Sequence, residues 1–250
     1  MSDFNDGILT DTGHRPWPMP DGPWVMTQTW HDLLFAHWPV AVDHLRALVP
    51  ARFELDLFEG RAWLAVVPFH MSNVGPRLVP ALPWLSAFPE LNVRTYVRVG
   101  GKPGVFFFSL DAGNPLAVGA ARTLLNLPYY SAEMKVETRD RRVEYASRRL
   151  STPAAEFQAS YDHDGAPRPP VAGTLEHFLT ERYCLYAVDH GSRPYRLEIH
   201  HPPWPLEAAD ARITANTMAA AAGIPLPDVP PILHFSKRQD VVCWAPERIG

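Results

Sequence analysis

A chain of 250 residues that is 46% hydrophobic and 20% charged carries a sizeable core, in one large domain or two small ones, and has the composition of a soluble globular protein. A formal net charge of −4 gives no electrostatic basis for binding nucleic acid or an anionic membrane, so neither is expected as a partner. Two cysteines without a CxxC, Cys184 and Cys243, exclude a disulfide framework and imply a reducing, cytoplasmic setting, and no apolar run reaches the roughly 20 residues of a membrane-spanning helix.

Residues 1–24 read as a tail or strap. No apolar stretch follows a basic start, so this is not a signal peptide. Pro16, Pro18, Pro20 and Pro23 oppose helix, and the tryptophans of RPWPMPDGPW gain by burial and can pin the segment down. Residues 25–250 are expected to form a single domain. A strand or loop over Met26–Leu34 leads into a short helix with Pro39 in its first turn and Val42, Leu45, Leu48 and Val49 at helical spacing, ended by Pro50. FELDLF and AWLAVVPF then predict a hairpin turning at Glu59-Gly60. Pro76, Pro80, Pro83 and Pro89 mark a long loop.

A second hairpin joins Asn92–Val99 to Val105–Leu110 around Gly-Gly-Lys-Pro-Gly. A short helix near Gly119–Leu125 precedes Pro128, and Tyr129–Thr138 with Arg141–Leu150 reads as a third hairpin. Asp162–Pro170 is charged and Pro-rich and reads as a loop. Thr174 caps a helix running to Arg182. Strands follow at Cys184–Val188 and Tyr195–His200, then an alanine-rich helix over Ala215–Ala222 closed by Gly223, then strands at Ile232–Ser236 and Val241–Trp244. Strands outnumber helices and hairpins dominate. The expected fold class is α+β and mostly antiparallel, a curved sheet able to enclose a cavity, with a few short helices.

No GxGxxG, P-loop, GxSxG or HExxH pattern occurs, so no cofactor is expected. The eleven histidines are scattered. His200 and His201 are adjacent and point to opposite faces of a strand, so no metal site is expected.

The most informative stretch is Phe88–Glu137. Glu90, Asn92, Arg94, Tyr96 and Arg98 share one parity of a strand, and apolar residues take the other. One reading is a half-buried strand with a solvated polar face. The other follows from Phe106–Phe108 opposite, apolar on both faces, which suggests a sheet covered on both sides and a polar row lining an enclosed space. Arg122 is a structural ion-pair partner or a site residue, and Tyr129-Tyr130 are strand aromatics or phenols in a pocket. The expected partner is a small-molecule ligand. Glu90, Arg122 and Tyr129 are the candidate catalytic groups, and Asn92, Arg94, Tyr96, Phe108 and Tyr130 the candidate ligand contacts.

The strings WHDLLFAHWPV, LVPARFELDLFEGRAWLAVVPFHM, FPELNVRTYV, GVFFFSLDA, AARTLLNLPYY, LEHFLTERYCLY and ILHFSKRQDVVCW resemble the YqjF-like family of uncharacterised proteins over nearly the whole chain, from about Thr27 to Trp244. That family is grouped with the acetoacetate-decarboxylase-like fold, so the resemblance implies an antiparallel barrel or sandwich around a central cavity. In the decarboxylase a catalytic glutamate is followed by an arginine in Gly-Arg-Glu and by Gly-Phe-Pro-Lys-Lys, whose first lysine forms the Schiff base. Glu90, Arg122 and Pro128 stand at the matching spacing here, and Tyr129 and Tyr130 take the places of the two lysines.

A phenol cannot form an iminium with a ketone, since that step needs a primary amine. Schiff-base decarboxylation is therefore not expected. Lys135, one of only three lysines with Lys102 and Lys237, shares strand parity with Tyr129. The resemblance leaves three readings. One is an enzyme on a small organic acid or keto compound, with Arg94 or Arg122 holding an anionic oxygen and Glu90 as acid or base tuned by burial and by the arginine. The second is a binding or sensor protein using the same cavity, and the third an interaction protein with no cavity.

Overall fold

The computed structural model describes residues 6–77 and 86–249. The Pro80 and Pro83 part of the expected long loop lies outside them. In chain order the elements are β1 (Met26–Val40), α1 (Val42–Leu48), β2 (Glu54–Leu55), β3 (Ala62–Pro76), β4 (Phe88–Val99), β5 (Lys102–Ala112), α2 (Pro115–Leu125), β6 (Tyr129–Arg139), β7 (Arg142–Arg149), β8 (Glu156–Arg168), α3 (Leu175–Thr180), β9 (Cys184–Val188), β10 (Pro194–His200), β11 (Leu206–Asn216), α4 (Met218–Ala221), β12 (Ile232–Cys243) and β13 (Glu247–Arg248). No helix among the described residues is long and apolar enough to cross a membrane.

These strands form one mostly antiparallel sheet that closes on itself twice. One ring runs β1-β3-β4-β5-β6-β7-β8-β11-β12 and back to β1. The pairing of β10 with β12 closes a second ring through β9, β5, β4, β3 and β1. The two rings share a wall of β12, β1, β3, β4 and β5. Successive side chains on a strand point to opposite faces, so each shared strand supplies one parity to each ring. Leu34, Ala36, Leu64, Val66, Leu91 and Val93 join Tyr145, Phe157, Tyr161 and Phe235 in a packed core. Leu33, Phe35, Val67, Phe69 and Met71, of the other parity, face the second ring with Trp204. β1 and β3, shared by both rings, are thus apolar on both faces.

One parallel contact places the helix that matters. β5 and β6 pair in parallel at Leu110–Tyr129, and parallel neighbours need a crossover, which α2 provides. Asn114 caps α2, its side chain accepting from the backbone N–H of Leu116 and Ala117 at 3.0 and 3.2 Å. On β5, Gly104 lets β9 approach: a Cβ there would lie 2.8 Å from the carbonyl oxygen of Cys184. Residues 6–24 lie along β10 and β12. Ile8 and Trp24 pack with Val242 and Trp244, and Arg15 donates to the Ile199 carbonyl at 2.7 Å and pairs with Glu198 at 3.3 Å.

Several expected elements change under tertiary pairing. Pro39 lies inside β1, not in a helix. It pairs only with Trp63 of β3, beyond the last β12 partner at His37–Ile232, so its missing N–H breaks no ladder. The Glu59-Gly60 turn forms with both residues at positive φ, but β2 pairs with β4 at Glu54–Arg98 and not with β3. Asp162–Arg168 is not a loop: β7 pairs with β8 only as far as Tyr161, but β11 continues alongside to Leu206–Arg168 and holds the charged stretch extended. Residues 206–216 form β11, which leaves the alanine-rich helix only Met218–Ala221. The two final strands are one, β12. Its polar middle is held by β1, with Thr29 donating to Asp240 at 2.7 Å and Lys237 paired with Asp32 at 2.5 Å.

Candidate functional site

The second ring is hollow. It encloses a cavity of about 450 Å³, well inside the size range of small-molecule sites. The walls come from the inward parity of β1, β3, β4, β5, β9 and β10, with α2 along one side and Tyr129 of β6 beside it. Most of this surface is apolar. The polar exceptions concentrate on β4, where Glu90, Asn92 and Arg94 occupy alternate positions and therefore one face. The polar row faces inward because both faces of β4 are covered.

Glu90 is 3% exposed. The Tyr129 hydroxyl donates to its Oε2 at 3.1 Å. Burial penalises the charged carboxylate and pushes its pKa up to about 8; hydrogen bonds from Tyr129 and Asn92 oppose the shift, and the Asp111 charge adds to it. At neutral pH Glu90 therefore holds its proton. The expectation that an arginine tunes this group is corrected, since desolvation dominates and the charge that acts is an acid. Tyr129 is itself driven well above the ordinary phenol range, by burial first and then by Glu90. Behind the site, the Tyr145 hydroxyl lies 2.7 Å from the Glu90 carbonyl and 3.2 Å from that of Phe69, and so fixes the paired backbone from the packed side.

Arg94 is 8% exposed and makes no ion pair among the described residues. Its Nε and Nη2 are buried without a hydrogen-bond acceptor, and its guanidinium lies 5.6 Å over the Phe35 ring. Nε and Nη2 form one edge of the guanidinium fork, the edge that takes a carboxylate through two parallel hydrogen bonds. Trp204 Nε1 and Asn92 Oδ1 are likewise buried and unpartnered, and both residues line the cavity. A second cavity arginine, Arg182, contrasts with Arg94: it pairs with Asp56 at 2.6 Å and donates to the Phe178 carbonyl at 2.7 Å. His201 also lines the cavity and is kept neutral by burial.

The other expected site residues lie elsewhere. Tyr130 points opposite to Tyr129, as adjacent strand residues must, and lies 3.9 Å beneath the Arg149 guanidinium. Arg122 is exposed and borders an outer recess with Tyr130 and His190. The cavity face of α2 is Ala117, Ala120, Ala121 and Leu124, at helical spacing, and Arg122 is rotated off it. Tyr96 has the parity of Arg94 but is sealed behind the cavity under α3, its hydroxyl donating to the Leu179 carbonyl at 2.8 Å beside His37 Nε2.

Phe108 fails for a different reason. The β4–β5 register skips one residue between Val93–Ser109 and Arg94–Phe107, so Phe108 is the extra residue of a bulge and Phe107 takes the cavity position. Lys135 is 75% exposed on its side chain and paired with Glu137; Lys102 pairs with Glu198 and Lys237 with Asp32. None of the three lysines lines the cavity.

Arg182, Trp204, His201 and Phe107 were not anticipated. The first three come from segments far from β4 in sequence and carry no local signal. Phe107 was hidden by the bulge.

DUF2071, an uncharacterized conserved protein family, matches residues 27–240. The uncharacterized protein YqjF of Bacillus subtilis (strain 168) is 49% identical over 226 residues, 90% of this chain and 93% of that one. Acetoacetate decarboxylase from Legionella pneumophila superposes with a TM-score of 0.62 at 12% identity, covering 100% of this chain and 98% of its own. The enduracididine biosynthesis enzyme MppR complexed with pyruvate superposes with a TM-score of 0.62 at 12% identity, covering 93% and 92%. The chain therefore belongs to the DUF2071 family and has the acetoacetate-decarboxylase-like fold.

Proposed function

We propose that this protein is an enzyme of a reducing cytoplasm that acts on a small organic acid or keto compound by acid–base chemistry without a Schiff base. The observation that carries the reading is the Arg94 guanidinium, buried without an ion-pair partner and with its Nε and Nη2 free, on the same strand face as the Glu90–Tyr129 pair. An unmatched buried cation is costly, and an anionic guest at its free Nε–Nη2 edge offsets that cost. Glu90 then acts as a proton donor to an oxygen or carbon of the guest, with Tyr129 as a second donor where negative charge develops. With no lysine on the cavity wall, the chain has no amine for iminium formation there. A neighbour of this fold has been described complexed with pyruvate, which agrees with an acid as guest but assigns no chemistry here.

The test uses a panel of 2-oxo and 3-oxo acids in deuterated water, followed by proton NMR for exchange at carbon adjacent to the carbonyl and for loss of carboxylate. Turnover is expected for at least one acid. Glu90→Gln is expected to lower it at least a hundredfold, and Arg94→Gln to raise KM. Borohydride is expected to trap no adduct. An unchanged rate in Glu90→Gln removes that residue from the mechanism. The mostly apolar wall favours a second reading, a binding or sensor protein; stabilisation by an acid with no product in any arm selects it.

A further inference from the structure

The order of groups along the cavity says what kind of acid fits. Arg94 lies four residues along β4 from Glu90, so their α-carbons are roughly 13 Å apart at a strand rise of about 3.3 Å per residue. The Arg94 end is blind: Tyr96 and α3 close it. The Glu90 end adjoins α2, with the Gly113 N–H donating to the Pro89 carbonyl at 3.0 Å. Among the described residues the lining beyond Glu90 is Gln28, Trp30, Val74, Ala117 and Leu124, apolar except for Gln28, whose side-chain oxygen accepts from Trp30 Nε1 at 2.8 Å, and the rim holds Val25 and Pro76. Leu124, 78% exposed, and Val25, 40% exposed, set an apolar edge at the opening.

The sequence of environments is therefore cation at the blind end, neutral acid and phenol midway, and an apolar channel to the mouth. The small residues of α2 on this side, Ala117, Ala120 and Ala121, leave the channel open. A three-carbon keto acid anchored on Arg94 leaves that channel unfilled. A cavity of about 450 Å³ is of the size that holds ligands larger than such an acid.

We infer that the natural guest is an amphipathic carboxylic acid, bound head-first with its carboxylate on Arg94 and an apolar tail of about six to nine carbons running past Glu90 and Tyr129 to α2. This rests on the proposed anion-binding role of Arg94 and adds the tail and its direction. The channel walls toward α2 are mostly apolar, and each buried methylene is worth about a fourfold gain in affinity.

The test is calorimetric titration of the full chain with straight-chain carboxylates from butanoate to dodecanoate, with pyruvate, and with 1-octanol as a neutral probe of the channel. Affinity is expected to rise about fourfold per methylene and to level near decanoate. Arg94→Gln is expected to weaken octanoate at least tenfold and 1-octanol less than threefold. Ala117→Phe, or the milder Ala117→Leu, is expected to weaken decanoate at least tenfold more than butanoate, in variants whose circular dichroism matches wild type. Affinity that is flat with chain length, or confined to pyruvate, overturns the tail and leaves the acid–base reading standing. Octanoate bound no better than 1-octanol and unaffected by Arg94→Gln overturns both.

Discussion

The two rings share five strands and yet treat charge in opposite ways. In the packed ring, Arg149 is buried with Asp111 in a two-pronged pair, Nε and Nη2 donating to the two carboxylate oxygens at 2.7 and 2.6 Å. In the hollow ring, Arg94 is as well buried and has its Nε and Nη2 free. A guanidinium matched inside the protein holds strands together. One left unmatched beside a cavity is available to something the protein does not itself contain. Burial raises the pKa of both Asp111 and Glu90, but at Asp111 the hydrogen bonds and charge of Arg149 oppose the shift, whereas Glu90 meets only a phenol and an amide and is pushed up to about 8.

The comparison predicts a graded set of effects. The largest is in the packed ring. Asp111→Ala strands the Arg149 charge and is expected to cost about 3–5 kcal/mol, read from urea unfolding. Phe157→Ala, also in that core and fully buried, is expected to cost a similar ~3–5 kcal/mol, whereas Phe107→Ala only widens an existing cavity and is expected to cost less than about 2 kcal/mol. Equal losses at the two phenylalanines contradict the division into packed and hollow rings.

Glu90→Gln tests the proton. Native Glu90 keeps its proton up to about pH 8, while in the unfolded chain it loses it near the ordinary value of 4.5. Between those values the native state binds more protons than the unfolded state, so wild-type stability falls as pH rises. Glutamine has no proton to lose. The melting temperature of Glu90→Gln is therefore expected to match wild type near pH 4, to exceed it increasingly through pH 5–8, and then to run parallel. Each pKa unit is worth about 1.4 kcal/mol, so a gain that does not grow with pH shows that Glu90 is ionised in the native state.

Arg94→Leu, without ligand, is expected to leave stability equal or higher, because it removes an unmatched buried charge. A loss of more than about 2 kcal/mol in that variant assigns Arg94 a structural partner instead. The smallest expected loss is at α2. Asn114→Ala removes the cap of α2 and is expected to cost about 1 kcal/mol globally; hydrogen exchange is expected to quicken most in Pro115–Leu125, the helix along the channel.

Much of this was legible in the sequence where the cause is local. Strand alternation put Glu90, Asn92 and Arg94 on one face, and apolar residues on both sides of Phe106–Phe108 told that the sheet is covered twice. Gly100-Gly101 and Glu59-Gly60 marked their turns because those positions take positive φ. That tyrosines stand where the resemblance places two lysines was readable from residue identity; that Lys135 points outward to Glu137 needed the structure. Four placements were not readable. Tyr96 has the right parity, but α3, docked from far along the chain, seals it off. Phe108 was displaced by a bulge, which a count of twos cannot register. Arg122 sits on a helix whose orientation is set by the parallel β5–β6 crossover. The charged end of β8, residues 162–168, looked like a loop because its partner β11, more than 35 residues on, is needed to make it a strand.

By itself the sequence determined the chemistry available: one acid, one amide and one guanidinium at alternate strand positions, a tyrosine where an amine would be needed, and apolar residues in excess of what one sheet face requires. Tertiary structure decided which of those groups meet. Ring closure through β10 and β12, the bulge at Phe108 and the docking of α2 and α3 depend on contacts between distant segments, whose free energy is absent from any local window. The same contacts bury Glu90 and leave the Nε–Nη2 edge of Arg94 without an acceptor, and those two conditions, rather than residue type, single the cavity out as the candidate site.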